Sequence, residues 1–190
     1  MVDQVTRQTI EPVRKSIVVP WSVDAAFKRF TDDLATWWPL RTHSLGQKDA
    51  TTCVFEGREG GKIYEVWRDG RRAQWGEVLT WNPPHSVTFT WHPGEPRDAA
   101  QQVELRFTAV GKATRLDLVH TGWERLGRKA RKARNGYNLG WNYVLRRWAG
   151  QPPTILDRVL NAIAAVATMV SKRPTIVEVA PSPPASPPRS

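Results

Sequence analysis

The sequence predicts an α+β domain in which a seven-stranded antiparallel sheet is covered by one long C-terminal helix. Three observations lead to this prediction. Residues 52–121 contain six segments with the alternation of β-strands, joined by short turns. A seventh strand opens the domain at residues 13–19, and residues 125–148 carry an apolar stripe at helical spacing. Since no helix separates the six later strands, we expect them to pair as an antiparallel meander.

Two short helices are predicted after the first strand. Pro20 ends the strand at 13–19, and Ser22 is a favourable N-cap for the helix that follows. A second helix over residues 32–38 stops before Pro39. The remaining strands are predicted at residues 52–56, 62–67, 73–81, 86–91, 102–110 and 114–121, with Asp69-Gly70 as a hairpin turn.

The predicted domain covers residues 12–150, and the chain changes character after it. Residues 151–173 are predicted to contain an additional amphipathic helix over 154–171, and the Pro- and Ser-rich residues 174–190 to be disordered. The apolar face of this helix needs a partner. Packing on its own domain or on a second copy, as a homodimer through 154–171, is preferred to binding at a membrane surface.

The net charge of +10 is concentrated in one run, residues 125–134, which read RLGRKARKAR. These basic residues are predicted to lie opposite the apolar stripe of the long helix, on a solvated face. A nucleic acid partner is not favoured, because stacking or base readout would need exposed aromatics beside the charge.

The sequence also limits cofactors and compartment. A single cysteine, Cys53, excludes an internal disulfide, and the four histidines lack metal-ligand spacing, so no metal or cofactor is expected. The N-terminus lacks the apolar stretch of a signal peptide, which with the single cysteine favours a cytoplasmic location.

Several segments together resemble a known family. They are SIVVPWSVDAAFKRFT, TWWPL, FEGREGGKIYEVWRDG, WGEVLTWNPPHSVTFTW, TRLDLVHTGWE and YNLGWNYVL. Their order is similar to that of the activator-of-heat-shock-protein-90-ATPase homologue-like family, within the START-like, helix-grip superfamily that includes polyketide cyclases. The resemblance covers about residues 13–148. It implies a curved sheet that grips the long helix, with an apolar pocket between them.

This resemblance, combined with the strand and helix periodicity, predicts which side chains line such a pocket. Trp123 is expected at the hinge into the long helix, and Trp37 beside Trp38 on the helical pair. The predicted ligand-binding residues are Trp38, Phe55, Tyr64, Trp75, Phe89, Trp91, Leu118, His120, Trp123, Tyr137, Trp141 and Leu145, with Leu105 on the same face. The alternative is that these aromatics form a filled core, because alternation alone does not distinguish the two.

His120 is the one inward polar residue with possible chemistry. In register with Leu116 and Leu118, it is either a buried histidine bonded to a tryptophan or backbone group, or a general acid or base. The first interpretation is simpler, since no second catalytic group is evident. Glu56, Glu65 and Glu77 lie on strands, and cross-strand ion pairs on the outer face are expected for them.

The sequence therefore predicts a protein that binds a small apolar or aromatic molecule, and favours binding over catalysis. The first alternative is an enzyme of the cyclase or hydrolase type using His120. The second is a co-chaperone-type interaction module, as the family name implies.

Overall fold

A computed structural model describes residues 10–152 and 154–155 of the chain. Seven antiparallel strands form one sheet in the order β1-β7-β6-β5-β4-β3-β2. Three α-helices accompany the sheet. The elements are β1 (Val13–Val19), α1 (Val23–Thr31), α2 (Leu34–Trp37), β2 (Ala50–Phe55), β3 (Lys62–Trp67), β4 (Arg72–Asn82), β5 (Ser86–Trp91), β6 (Gln101–Val110), β7 (Ala113–Thr121) and α3 (Ala130–Trp148).

The sheet curls because its regular pairing is interrupted on one side. Register shifts occur between β2 and β3, between β3 and β4, and between β4 and β5. Such irregularities bend a strand and increase its twist. Gly76 lies at the shift between β3 and β4, and a Cβ there would lie 1.8 Å from the carbonyl oxygen of Thr90 on β5, so only glycine permits this approach of β4 to β5.

The helical pair is held to the sheet by its apolar face. The side chain of Ser22 accepts a hydrogen bond from the Ala25 N–H at 3.3 Å, and this confirms the predicted N-cap. Phe27 and Phe30 are buried against the ring of Phe107 on β6, at centroid distances of 5.3 and 6.2 Å. The second helix is shorter than predicted and ends at Trp37.

The single helix predicted over residues 125–148 is wrong at its N-terminal end. Residues Trp123–Lys129 form 3₁₀ turns, and α3 begins only at Ala130. Gly127 separates the two with φ 53° and ψ −125°, a conformation that a residue with a Cβ rarely adopts. The first half of the basic run therefore lies in the turns that lead into α3.

A single apolar core lies between the concave face of the sheet and the helices. Nine of the ten tryptophans contribute to it or pack against it, and Trp37, Trp75, Trp123 and Trp148 are fully buried. No helix in the described part of the chain is both long and apolar enough to cross a membrane. The predicted helix over 154–171 and the predicted tail lie outside the described residues, apart from Thr154 and Ile155.

Candidate ligand-binding cleft

A cleft of about 710 Å³ opens beside α3, between this helix, the loop of residues 39–49 and the turn after β5. We refer to residues 39–49 as the α2–β2 loop. The cleft is within the size range of small-molecule sites. Its lining is Trp38, His43, Ser44, Leu45, Trp91, Pro93, Lys129, Lys132, Ala133, Gly136, Tyr137, Gly140, Trp141 and Val144.

One face of α3 forms the long wall of the cleft. The helical lining positions follow each other at spacings of three and four residues, as expected for one helix face. From Lys132 to Val144 this wall extends about 18 Å at 1.5 Å per residue. Gly136 and Gly140 lie in its middle, and a Cβ built on Gly136 meets no atom within 4 Å. The two glycines therefore leave open space that side chains would occupy.

Three tryptophans form the aromatic end of the cleft. The ring of Trp38 lies 5.6 Å from that of Trp91 and 6.4 Å from that of Trp141, and the latter two are 6.1 Å apart. Most of each indole is buried, so an edge of each ring faces the cleft. Such a surface favours contact with flat, apolar molecules.

The hydroxyl of Tyr137 is the polar group beside these tryptophans. It accepts a hydrogen bond from Nε1 of Trp91 at 3.2 Å. Burial raises the pKa of Tyr137 to about 12, so the phenol keeps its proton at neutral pH. With one acceptor position used by Trp91, the hydroxyl still has a proton to donate to a bound molecule.

The α2–β2 loop supplies the opposite wall. The imidazole of His43 stacks on Tyr143 of α3 at a centroid distance of 5.2 Å, and its backbone carbonyl accepts a hydrogen bond from Nε1 of Trp38 at 2.7 Å. Burial, with a smaller contribution from the charge of Arg147, lowers the pKa of His43 to about 4. His43 is therefore neutral at pH 7 and contributes a polar, uncharged ring to the cleft.

A buried carboxylate fixes this loop to the sheet. Glu65 on β3 has no exposed surface, and its oxygens accept hydrogen bonds from the backbone N–H groups of Leu45 at 2.8 Å and Gly46 at 2.5 Å. Nε1 of Trp75 donates a third bond at 2.7 Å, and Nε1 of Trp67 donates a fourth. The expectation of an outer-face ion pair is wrong for Glu65, because N–H donors rather than an arginine satisfy it.

The same environment inactivates the only cysteine. Burial, and secondarily the carboxylate of Glu65, raises the pKa of Cys53 to about 12. The thiol is protonated at neutral pH and does not line the cleft, so it is not a nucleophile for a bound molecule. Glu77 forms the expected cross-strand ion pair, with Lys62 of β3 at 2.6 Å, whereas Glu56 pairs with Arg58, two residues along the chain, at 2.9 Å.

Two lysines border the N-terminal end of the cleft. Lys129 pairs with Glu95 at 3.1 Å, whereas Lys132 makes no hydrogen bond or ion pair within the described residues. The prediction placed both on the solvated face opposite the apolar stripe. Both lysines are exposed to solvent, as predicted, but they lie beside the apolar stripe at the cleft rather than opposite it.

Four of the residues predicted to bind a ligand line the cleft, namely Trp38, Trp91, Tyr137 and Trp141. Phe55, Trp75 and Phe89 lie deeper, around a void of about 10 Å³. This void is about the smallest that can hold a single water molecule. Leu105, Leu118, Trp123, Leu145 and Trp37 are buried in the packed core. Around Phe55, Trp75 and Phe89 the interior is therefore a filled aromatic core, whereas Leu145 also borders a second cleft of about 640 Å³ between β1 and α3.

Tyr64 does not face the helix, contrary to the prediction. Its neighbours Ile63 and Glu65 point into the core, so alternation along β3 directs Tyr64 to the convex face. There the guanidinium of Arg72 lies 5.2 Å from its ring centroid. Tyr64 is buried under this arginine without contributing to the core.

His120 is fully buried and does not line the cleft. Its Nδ1 accepts a hydrogen bond from Nε1 of Trp141 at 3.1 Å, and its ring lies 4.1 Å from that of Trp123. Burial lowers the pKa of His120 to about 3, so the ring is neutral and its proton resides on Nε2. Nε2 has no hydrogen-bond partner among the described residues. This is the bonded core histidine of the simpler interpretation.

The cleft also contains residues that the sequence analysis missed. His43, Ser44 and Leu45 lie in a loop with no periodicity, so no sequence pattern indicated that it folds over α3. Gly136 and Gly140, four residues apart on one helix face, were a readable signal of open space. Among the described residues, no three His, Cys, Asp or Glu side chains are grouped to hold a metal ion.

A curled seven-stranded antiparallel sheet around a long C-terminal helix defines a helix-grip protein of the START-like class. The sequence model for activator of Hsp90 ATPase homolog 1-like proteins matches residues 21–149. The chain belongs to that family. A comparison with curated proteins gives no match.

Solved structures are similar over most of the described chain. The anthrahydroquino-gamma-pyrone synthase Txn09, solved as a complex, is 34% identical, with a TM-score of 0.55 over 75% of this chain and 97% of that one. The self-sacrificing resistance protein CalC from Micromonospora echinospora is 28% identical, with a TM-score of 0.56 over 73% and 92%. The Aha1 dimer from Colwellia psychrerythraea is 15% identical, with a TM-score of 0.51 over 72% and 91%, and shares the fold.

Proposed function

We propose that the chain binds a flat, largely apolar aromatic molecule in the cleft beside α3. The observation that carries this proposal is the combination of an open space of about 710 Å³ with the edges of Trp38, Trp91 and Trp141 and the hydroxyl of Tyr137. The other hydroxyl of the lining, that of Ser44, donates its proton to the carbonyl of Leu40 at 2.6 Å. Binding sites for small molecules have this composition, with few polar groups in an apolar wall. The site is the cleft between α3 and the α2–β2 loop, and the filled interior below it serves as support.

The relatives support a small-molecule ligand. A protein 34% identical to this chain over three quarters of its length is described as a synthase and was solved as a complex. Its name denotes a fused aromatic product, which is the ligand shape that the three indole edges favour.

The proposal is tested by filling the cleft. Gly136 is exposed on α3, and its open space accepts a ring without backbone strain, so Gly136→Phe should fold and block the site. Asn135→Phe adds the same ring one residue away, at an exposed position that does not line the cleft, and is the matched control. The probe is N-phenyl-1-naphthylamine, a neutral aromatic whose fluorescence rises in apolar sites.

The expected result is saturable binding to the wild type and to Asn135→Phe, and at least tenfold weaker binding to Gly136→Phe. Tryptophan fluorescence should be quenched in the same concentration range, because three indoles border the cleft. Equal affinity of all three proteins would contradict the proposal. Circular dichroism of both variants establishes that each retains the fold.

A second candidate is a synthase- or cyclase-type reaction in the same cleft, favoured by the name of the 34% identical relative. Tyr137 would then hydrogen-bond a carbonyl oxygen of the substrate as charge develops on it. His120 does not reach the cleft and would act only through its neighbours. Its ring centroid lies 5.0 Å from that of Tyr137, and its Nδ1 accepts a hydrogen bond from Trp141. Turnover of an aromatic polyketide precursor, followed by mass spectrometry, should be lost in Tyr137→Phe. Full turnover in that variant excludes this role.

A further inference from the structure

We propose that the cleft selects aromatic ligands that carry an anionic group, with the anion placed beside Lys132 and the aromatic body against the tryptophans. This inference rests on the proposed function and specifies its ligand class. Carboxylates, sulfonates and ionised acidic phenols share the chemistry that a lysine at the edge of an apolar site recognises.

The charge of the lining is the first argument. Two lysines, Lys129 and Lys132, border the cleft, and no Asp or Glu does so. His43, the remaining titratable base in the lining, is neutral at pH 7 because burial holds its pKa at about 4. A bound anion therefore meets two lysines in the lining. The carboxylate of Glu95, which pairs with Lys129, is not part of the lining, although its charge reaches Tyr137.

The second argument distinguishes the two lysines. Lys129 is partly neutralised by Glu95, with Nζ and Oε1 3.1 Å apart. Lys132 makes no ion pair within the described residues, and the neighbouring Arg128 and Arg131 are also exposed cations. No acidic residue occurs between residues 125 and 135 to offset them. The uncompensated charge of the cleft is thus centred on Lys132.

The third argument is the direction of α3. The helix begins at Ala130, so its N-terminal end, where the helix dipole is positive, lies at the lysine end of the cleft. The aromatic end lies further along the helix. Tyr137 follows Lys132 by five residues, which corresponds to about 7.5 Å of axial rise.

The test uses two probes that differ by one sulfonate. They are 1-anilinonaphthalene-8-sulfonate and the neutral N-phenyl-1-naphthylamine. Lys132→Gln should weaken binding of the sulfonate about fivefold and change binding of the neutral probe less than twofold, as expected for loss of one partly exposed charge contact. Lys112→Gln is the control, since Lys112 lies in the exposed β6–β7 turn at the end of β6 opposite the cleft.

Salt provides a second readout. Raising sodium chloride from 20 to 300 mM should weaken sulfonate binding in the wild type and in Lys112→Gln. The loss of affinity with salt should be smaller in Lys132→Gln, because the charge that salt screens has been removed. If Lys132→Gln affects both probes equally or neither, the inference is wrong, while the proposed function stands so long as Gly136→Phe weakens binding at least tenfold. If Gly136→Phe weakens the binding of neither probe, both proposals are overturned.

Discussion

The indole Nε1 of Trp91 donates a hydrogen bond to the hydroxyl oxygen of Tyr137 at 3.2 Å, joining the end of β5 to the middle of α3. These residues are 46 positions apart in sequence. The bond orients both side chains at the cleft and satisfies an N–H that is nearly buried. The same hydroxyl therefore has a structural role, as acceptor, and a candidate binding role, as donor.

The two roles of this hydroxyl can be separated with Tyr137→Phe. Loss of the acceptor leaves the Trp91 N–H without a partner, so the free energy of unfolding should fall by about 1–2 kcal/mol in urea denaturation. Binding of a phenolic or carbonyl-bearing aromatic should weaken about fivefold, and binding of N-phenyl-1-naphthylamine should change little. If Tyr137→Phe binds both ligands as tightly as the wild type, the hydroxyl of Tyr137 does not take part in ligand binding.

The fold was largely predictable from the sequence because strand alternation and turn residues are local signals. Residues 13–19, 62–67 and 86–91 are strands with the predicted bounds. The break at Gly127 was not predicted, since a glycine within an apolar helical stripe is compatible with an uninterrupted helix. The start of α3 depends on how the preceding 3₁₀ turns meet the sheet, which is a tertiary effect.

The site was predicted only in part, for a physical reason. Periodicity identifies which face of an element points inward, and it correctly places Trp91 and Trp141 on that face. It contains no information on whether the interior is filled, which depends on side-chain volumes packed across the sheet. It also gives no position for the α2–β2 loop, whose placement depends on the long-range contact between Glu65 and the N–H groups of Leu45 and Gly46.

Glu65 should be the most sensitive polar residue of the structure. In Glu65→Gln an amide NH₂ group replaces one of the two carboxylate oxygens, so a donor faces N–H donors. The negative charge that strengthens the remaining hydrogen bonds is also lost. The free energy of unfolding should fall by about 2–4 kcal/mol, and proteolysis within residues 39–49 should accelerate. The matched control is Glu77→Gln, which removes ion pairs with Lys62 and Arg97 near the surface and should cost less than about 1 kcal/mol. Equal effects would show that the loop does not depend on this anchor.

His120 and His43, the two histidines with the most strongly lowered pKa, should make stability depend on pH below neutrality, and His92, whose pKa burial also lowers, acts in the same direction. Burial lowers the pKa of His120 to about 3 and that of His43 to about 4, whereas both have a pKa of about 6.5 in the unfolded chain. Above pH 6.5 these imidazoles are largely unprotonated in both the folded and the unfolded chain. As the pH falls from 6.5, the unfolded chain takes them up first, so stability is progressively lost, at up to about 1.4 kcal/mol per pH unit for each histidine.

The variant that isolates this effect is His120→Asn, which keeps an acceptor for Trp141 and does not titrate. Urea denaturation at pH 6.5, 5.5 and 4.5 should give a shallower decline than in the wild type, by up to about 1.4 kcal/mol per pH unit. His43→Asn should do the same over the window from pH 6.5 to about 4. If the decline of stability with falling pH is the same in His120→Asn as in the wild type, His120 takes up its proton as readily in the folded protein as in the unfolded chain.

Gly136 should limit the stability of α3. It lies within the helix, is exposed, and has no atom within 4 Å of the place a Cβ would occupy, so Gly136→Ala gains helix propensity without a clash. The free energy of unfolding should rise by about 0.5–1 kcal/mol. Gly111→Ala is the contrasting control, because its φ of +62° strains a residue with a Cβ and should lower stability. If Gly136→Ala lowers stability instead, this helix face is not open in solution, and the cleft would have to be narrower than 710 Å³.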